Sequence, residues 1–162
     1  MSEQPKIVVE HIKHDEFLFL GKEYPHNWYE FMDVWSDFDK SGGWGMVMKY
    51  RNNPSYKCTV VNHLMNPEGI YMAGTFVDTM TEAPEGFTLR KFPAYEYIVV
   101  THEWQPNWDL GIVEEAVKSV QIPDGYIKHD GVDSKIRLIE VENNDSEKGS
   151  RWENWVPIKK VE

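Results

Sequence analysis

Hydrophobic residues recur along this chain with two periods, one typical of strands and one typical of helices. Short apolar runs predict strands at IVV and FLFLG within residues 7–24, and again at 44–50, 56–64 and 70–78. Between the first two strand regions, apolar residues at helical spacing predict an amphipathic helix, made of Trp28, Phe31, Met32, Trp35 and Phe38. Gly74, inside the last of these strands, indicates a bulge or a close backbone approach.

The second half of the chain repeats this order. Residues 87–104 predict one long strand region with Pro93 at a bulge or an edge, and apolar residues from Ile112 to Val120 then follow helical spacing. Strands are predicted at 135–141 and 152–160, with a polar, mobile loop at 143–150 between them. Each predicted helix also opens on an Asn-Trp pair, Asn27-Trp28 in the first half and Asn107-Trp108 in the second.

The shared order predicts an internal duplication within a single domain. The pseudo-repeats span about 1–80 and 87–162, joined by the polar TEAPEG segment. Two βαββ units would form an α+β fold, with a curved antiparallel sheet, two helices on one side and a central cleft along the seam. Ligand sites often occupy seams of this kind.

One carboxylate interrupts the apolar pattern of KIRLIEV, residues 135–141. Glu140 is predicted to share a strand face with Leu138 and Ile136, while Ile139 and Val141 take the other face. Burying a carboxylate on such a surface is costly unless a cation pairs with it. Three interpretations follow: the face is wet at Glu140, an Arg or Lys pairs with it, or a ligand brings the cation.

Composition and charge narrow the classes of partner. Aromatic residues make up 14% of the chain, with 7 Trp, 8 Tyr and 7 Phe. These rings are numerous enough to line a binding site as well as to fill a core. The formal net charge is -10, and the basic residues form no cluster longer than a pair. A surface that tracks nucleic-acid phosphates needs such clusters, so direct nucleic-acid binding is not expected.

Other features argue against several further classes of protein. The single cysteine, Cys58, excludes an internal disulfide and fits a reducing compartment. No apolar stretch approaches the roughly 20 residues of a membrane span, and the N-terminal sequence lacks the features of a signal peptide. His11, His14, Asp15 and Glu16 have no second cluster with ligand spacing, so no metal or other cofactor is expected. We therefore expect a cytoplasmic protein.

Several short motifs, in this order and spacing, resemble the GyrI-like, or AraC-type, effector-binding domain of multidrug-responsive regulators. The second half contributes FPAYEY (92–97), the Ile139-Glu140 pair and ENWVPIK (153–159). WGMV (44–47) and IYMAG (70–74) are similar to motifs of the first half. The chain departs from the family pattern at Glu142, where a Tyr is frequent, and at Trp44, which replaces a Tyr.

The resemblance implies a pocket lined with aromatic rings, in which the glutamate that matches Glu140 meets cationic, lipophilic compounds. Flat cations stack on such rings with a cation–π attraction of about 0.5–2 kcal/mol each. The predicted ligand-binding residues are Glu140 and the rings of Tyr71, Trp108, Trp155, Trp44 and Trp104.

Three functions compete on these grounds. The first is a stand-alone binder of amphipathic, cationic, drug-like small molecules, of undetermined oligomeric state. The second is a hydrolase of reactive, cyclopropane-bearing compounds, in which Glu140 and Tyr71 position and activate water. The third is a protein-interaction inhibitor that resembles the gyrase inhibitors of the family, for which an acidic surface would be needed.

Overall fold

The computed structural model describes residues 7–24, 31–52, 60–65, 70–105, 110–129, 136, 138–145 and 147–161. Three helices are described: α1 (Phe31–Lys40), α2 (Gly43–Tyr50) and α3 (Leu110–Lys118). The strands are β1 (Ile7–His14), β2 (Phe17–Tyr24), β3 (Val60–Met65), β4 (Ile70–Val77), β5 (Thr88–Phe92), β6 (Tyr95–Gln105), β7 (Tyr126–Lys128), β8 (Leu138–Asp145) and β9 (Gly149–Lys160). Among the described residues, no helix is long and apolar enough to cross a membrane.

All nine strands belong to one antiparallel sheet with the order β1-β6-β9-β8-β3-β4-β2-β5, and β7 pairs with β9. Only Asp15 and Glu16 separate β1 from β2, although these strands lie near opposite ends of that order. The sheet therefore has to curl until its ends meet. Ring contacts across the curl confirm this, since His14 on β1 lies 5.4 Å from Phe17 on β2 and 5.3 Å from Trp155 on β9.

The concave side of the curl, here called the inner face, holds the main core. Register pairs align its residues across the strands, so that Ile139 stands beside Trp155 and Trp155 beside Val99. The buried members come from β2, β4, β5, β6, β8 and β9, together with Ile136: Phe19, Met72, Phe76, Phe92, Tyr97, Val99, Ile136, Ile139, Val141 and Trp155. The sheet thus encloses an aromatic core to which no helix of the described residues contributes.

The convex side, here called the outer face, carries the helices in two separate places. Helices α1 and α2 cover β2 and β4, where Val34, Phe38, Met46 and Val47 pack on Leu20, Tyr24, Tyr71, Ala73 and Val77. Helix α3 covers β6 and β9, where Ala116 and Val117 pack on Ile98, Val100 and Ile158. These two sets are called the first and second outer clusters.

The strand order divides into two similar units. β2, β3 and β4 with α1 and α2 form one unit, and β6, β8 and β9 with α3 form the other. With the short β7 left aside, each unit runs along the chain as one strand, its helix or helices, and two further strands. Each places its last strand in the middle, giving β2-β4-β3 and β6-β9-β8. The units join where β3 pairs with β8. The α+β class, the antiparallel sheet and the helices on one side are as predicted.

Residues 44–50 were predicted as a strand, and this prediction is wrong. They form α2, whose buried residues Gly43, Met46 and Val47 follow helical spacing. Gly42 takes a left-handed conformation with φ 82°, which ends α1 and starts α2 in a tight turn. Gly43 lies so close to the Phe38 ring that a Cβ there would stand 2.5 Å from it.

Other predicted boundaries are also corrected. The predicted mobile loop at 143–150 forms the end of β8, a turn and the start of β9, because Asn143 and Asp145 pair with Arg151 and Gly149. The predicted single strand at 87–104 breaks at Pro93 and Ala94 into β5 and β6. The strand predicted from residue 135 has its described start at Leu138, and Ile136 packs in the inner core instead of sharing the face of Glu140.

The close backbone approach predicted at Gly74 is confirmed. Gly74 pairs with Gly21 across β4 and β2, and a Cβ on Gly74 would overlap the Leu20 carbonyl oxygen and lie 2.5 Å from the Gly21 Cα. Both positions therefore require glycine for reasons of space.

Candidate functional site

One row of register partners runs along the outer face and crosses the junction of the two units. It passes from Val100 on β6 to Asn154 on β9 and Glu140 on β8. It continues through β3 to Ala73 on β4. Register partners point to the same side of a sheet. Glu140 and Asn154 therefore stand on the face that carries the helices.

Glu140 lies between the two outer clusters. Val100 belongs to the second outer cluster and Ala73 to the first. Four strand spacings of about 4.8 Å separate them, about 19 Å along the sheet. Helices of about 10 Å diameter packed on the two flanks leave the intervening strands as a strip between them.

A second row of the same strip runs parallel to the first. It joins His102 on β6, Trp152 on β9 and Glu142 on β8. Glu142 is two residues from Glu140 on the same strand face, about 7 Å away along the strand. We call Glu140, Glu142, Trp152, Asn154 and His102 the central strip.

The residues of the central strip differ in how deeply they are buried. Glu140, Glu142 and Trp152 are half-buried, while Asn154 is 4% exposed and His102 is 1% exposed. In the described part of the chain, no hydrogen-bond partner meets Nδ2 of Asn154 or either ring nitrogen of His102. The strip thus combines two carboxylates near its surface with unsatisfied polar atoms at its base.

Aromatic rings lie along one side of the central strip, here called the aromatic side. Tyr71 on β4 points to the outer face and is 4% exposed. The edge of the Trp35 ring meets Tyr71 at 6.3 Å between centroids, and Trp44 stacks on Trp35 at 5.9 Å and 20°. Tyr71, Trp35 and Trp44 therefore form a continuous series of ring contacts from the sheet to α2, on the face that carries Glu140.

A polar network fixes α1 above β2 on the aromatic side of the central strip. Asp37 accepts a hydrogen bond of 2.8 Å from the Tyr24 hydroxyl and forms a 2.7 Å ion pair with Lys22. The hydrogen bond from Lys22, followed by that from Tyr24, holds the pKa of Asp37 below its ordinary value. Burial, with the hydrogen bond to Asp37, raises the pKa of Tyr24 and keeps it protonated.

The structure separates the predicted site residues. Tyr71 and Glu140 share the outer face, two strands and two residues apart, which places their Cα atoms about 12 Å from each other. Trp155 lies on the inner face, where its ring is 5.6 Å from Phe76 and 5.5 Å from Tyr97. Trp155 therefore packs in the main core, on the opposite side of the sheet from Glu140.

The remaining two predicted rings lie elsewhere. Trp104 is half-buried at the end of β6, beyond an irregularity in its register with β9, and Lys148 lies over its ring at 5.6 Å. This position is four residues from Val100, about 13 Å along the strand from the row of Glu140. Trp108 falls outside the described residues, as do the predicted helix start at Asn27 and Cys58.

Sequence reasoning missed four members of the central strip: Glu142 as a site residue, Trp152, Asn154 and His102. The parity of residues 152–155 offered a partial signal, since Trp152 and Asn154 alternate together against Trp155. The register of β8 against β9 was also needed, because it decides which of the two sets shares the face of Glu140. A one-residue shift of this register would have placed Trp155 on the face of Glu140, and Trp152 and Asn154 on the other face.

Carboxylates attract positive charge, and ring faces attract cations. Among the described residues, no group of three His, Cys, Asp or Glu side chains is placed to hold a metal ion.

Two units of strands and helices joined in one antiparallel sheet, with their helices on one face, fit a GyrI-like effector-binding domain. The family model Cass2, described as integron-associated effector binding protein, matches residues 12–158. The chain belongs to this family.

Solved structures share this fold. SAV2435 bound to tetraphenylphosphonium has a TM-score of 0.68 at 13% identity, over 94% of each chain. The C-terminal domain of EcmrR has a TM-score of 0.53 at 13% identity, over 98% of this chain and 100% of that one. The integron cassette protein VCH_CASS2, from the mobile metagenome of Vibrio cholerae, has a TM-score of 0.57 at 11% identity, over 93% and 95%. A comparison with curated proteins gives no significant match.

Proposed function

We propose that the chain binds amphipathic organic cations over the central strip, with Glu140 as the group that selects positive charge. Membership of an effector-binding family supports binding of a small molecule. The observation that carries the charge preference is the half-buried carboxylate of Glu140 between two helix-covered apolar clusters.

The electrostatic environment favours a cation over a neutral ligand. Glu140 and Glu142 stand about 7 Å apart on one strand face, so both carboxylates attract a cation placed between them. At an effective dielectric constant of about 20, one charge pair at 4 Å contributes about 4 kcal/mol before desolvation is subtracted.

The rings on the aromatic side would supply the apolar part of the contact with the ligand. Of the predicted rings, Tyr71 and Trp44 belong to the proposed contact surface. Trp35 is added to it because its ring contacts both of them. Trp155 is not part of the proposed contact surface, since it lies in the inner core. Rings and one or two carboxylates impose few directional constraints, which suits a site that accepts several related compounds.

The related protein SAV2435 has been solved with tetraphenylphosphonium bound. This cation is therefore the first probe to test. Its binding is followed by quenching of the fluorescence of the 7 Trp residues, with neutral triphenylphosphine oxide as the matched ligand without charge.

The decisive variant is Glu140→Gln, which removes the charge and keeps the shape. We expect it to weaken tetraphenylphosphonium binding tenfold or more, about 1.4 kcal/mol, and to leave the weaker binding of the neutral ligand unchanged. Glu10→Gln on the exposed part of β1 is the control for loss of one negative charge from the chain. Equal affinities of wild type and Glu140→Gln for the cation would contradict the proposal.

A further inference from the structure

The amide of Asn154 is a buried donor that stands beside the carboxylate of Glu140 without a hydrogen bond to it. Asn154 is 4% exposed, and its Nδ2 meets no hydrogen-bond partner in the described part of the chain. The two residues are register partners on β9 and β8, so their Cβ atoms lie about 5 Å apart on the same face. Buried amide groups are normally satisfied, and an unsatisfied one is costly.

Among the described residues, no side chain beside Asn154 makes a hydrogen bond with its Nδ2, the Glu140 carboxylate included. Val100, its register partner on β6, is buried and belongs to the second outer cluster under α3. His102, in the neighbouring row of the same face, is equally buried and equally unpartnered. Asn154 and His102 thus place polar atoms without described partners on the β6–β9 side of the central strip, across from Tyr71.

We infer that Asn154 recognises a hydrogen-bond acceptor on the ligand, so that the preferred compounds are organic cations with an oxygen two or three bonds from the charged nitrogen. This inference rests on the proposed function, because it assumes that the cation lies over Glu140. A carbonyl or ether oxygen near the charge would reach the Asn154 amide while the charge stays at Glu140. A cation with a purely hydrocarbon surface, such as tetraphenylphosphonium, would leave that amide unsatisfied.

Two ligands of equal charge and similar size separate this role from simple cation binding. Phenacyltrimethylammonium has a carbonyl two bonds from its nitrogen, and 2-phenylethyltrimethylammonium has a methylene in its place. The readout is the ratio of their dissociation constants, measured by calorimetry on the full chain. We expect the ketone to bind wild type about tenfold more tightly, because it alone satisfies the buried amide.

Asn154→Leu removes the donor and keeps the approximate volume of the side chain, and we expect it to bring the ratio close to one. Asn52→Leu, at an exposed residue beyond α2, is the matched control and keeps the wild-type ratio. The ratio in wild type needs no variant, so the inference is tested even if Asn154→Leu fails to fold. A ratio near one in wild type, or an unchanged ratio in Asn154→Leu, would overturn it.

The same titrations distinguish this inference from the proposed function. If both ligands bind, Glu140→Gln weakens both and the ratio is near one, then cation binding stands and the role of Asn154 is refuted. If neither ligand nor tetraphenylphosphonium shows binding that depends on Glu140, the proposed function fails, and the inference fails with it. An ordered water that satisfies the Asn154 amide predicts the first of these results.

Discussion

Replacing Gly74 by Ala places a methyl group where two strands already touch. The new Cβ would overlap the Leu20 carbonyl oxygen and lie 2.5 Å from the Gly21 Cα. Real Cβ atoms essentially never come within 3.0 Å of such neighbours. Both neighbours are backbone atoms, so no rotamer change relieves the clash, and β2 and β4 have to separate by about 1 Å or more.

The cost follows from this separation. Overpacking a core typically costs about 1–3 kcal/mol, and a clash between backbones belongs at the upper end, about 3 kcal/mol. An unfolding entropy of about 2.1 cal/mol/K per residue gives roughly 340 cal/mol/K for this chain of 162 residues. A loss of about 3 kcal/mol at the midpoint therefore lowers Tm by about 9 °C.

Gly45 provides a matched control for the same substitution. It is exposed within α2, and a Cβ there would meet nothing within 4 Å. Alanine at an unstrained helix position gains about 0.5–1 kcal/mol, so Gly45→Ala is expected to raise Tm by about 2–3 °C. Thermal unfolding followed by circular dichroism measures both variants. The argument is refuted if Gly74→Ala unfolds within 1 °C of wild type.

Two further substitutions test individual polar groups. Tyr97 is fully buried, its hydroxyl has no hydrogen-bond partner in the described residues, and burial raises its pKa. Tyr97→Phe should therefore stabilise the chain by about 1 kcal/mol in urea unfolding, and a comparable loss would reveal a missed partner. The lowered pKa of Asp37 adds stability above its ordinary pKa of 3.8, which is lost as the pH falls through the lower folded value. The advantage of wild type over Asp37→Asn should thus be full at pH 6 and shrink below about pH 4; an advantage constant to pH 2 would exclude this linkage.

The outline of the fold was predictable because its signals are local. A short apolar run marked β4, and the helical stripe marked α1, of which Trp35 and Phe38 are confirmed as packed against the sheet side. Gly74 was informative because a glycine inside a strand has few structural explanations. Residues 44–50 were not predictable in the same way, since a short apolar run fits a buried strand and a buried helix equally well.

The site was less predictable because it depends on register. Glu140 could be singled out from its own strand, but its neighbours are set by pairing with β9, which no local pattern reveals. Trp155 was chosen from a family resemblance, and its position on the inner face follows from its pairing with Ile139. Asn154, one residue away, lies on the face of Glu140 for the same reason.

The exchange of strands between the two halves bears on how the chain unfolds. β1 precedes the first unit but pairs with β6 of the second, and β5 precedes the second unit but pairs with β2 of the first. Neither half can keep its full sheet when the other melts, so the duplication does not create two independent folding units. We expect one cooperative transition, in which a ligand held at the junction of β3 and β8 would stabilise both halves at once.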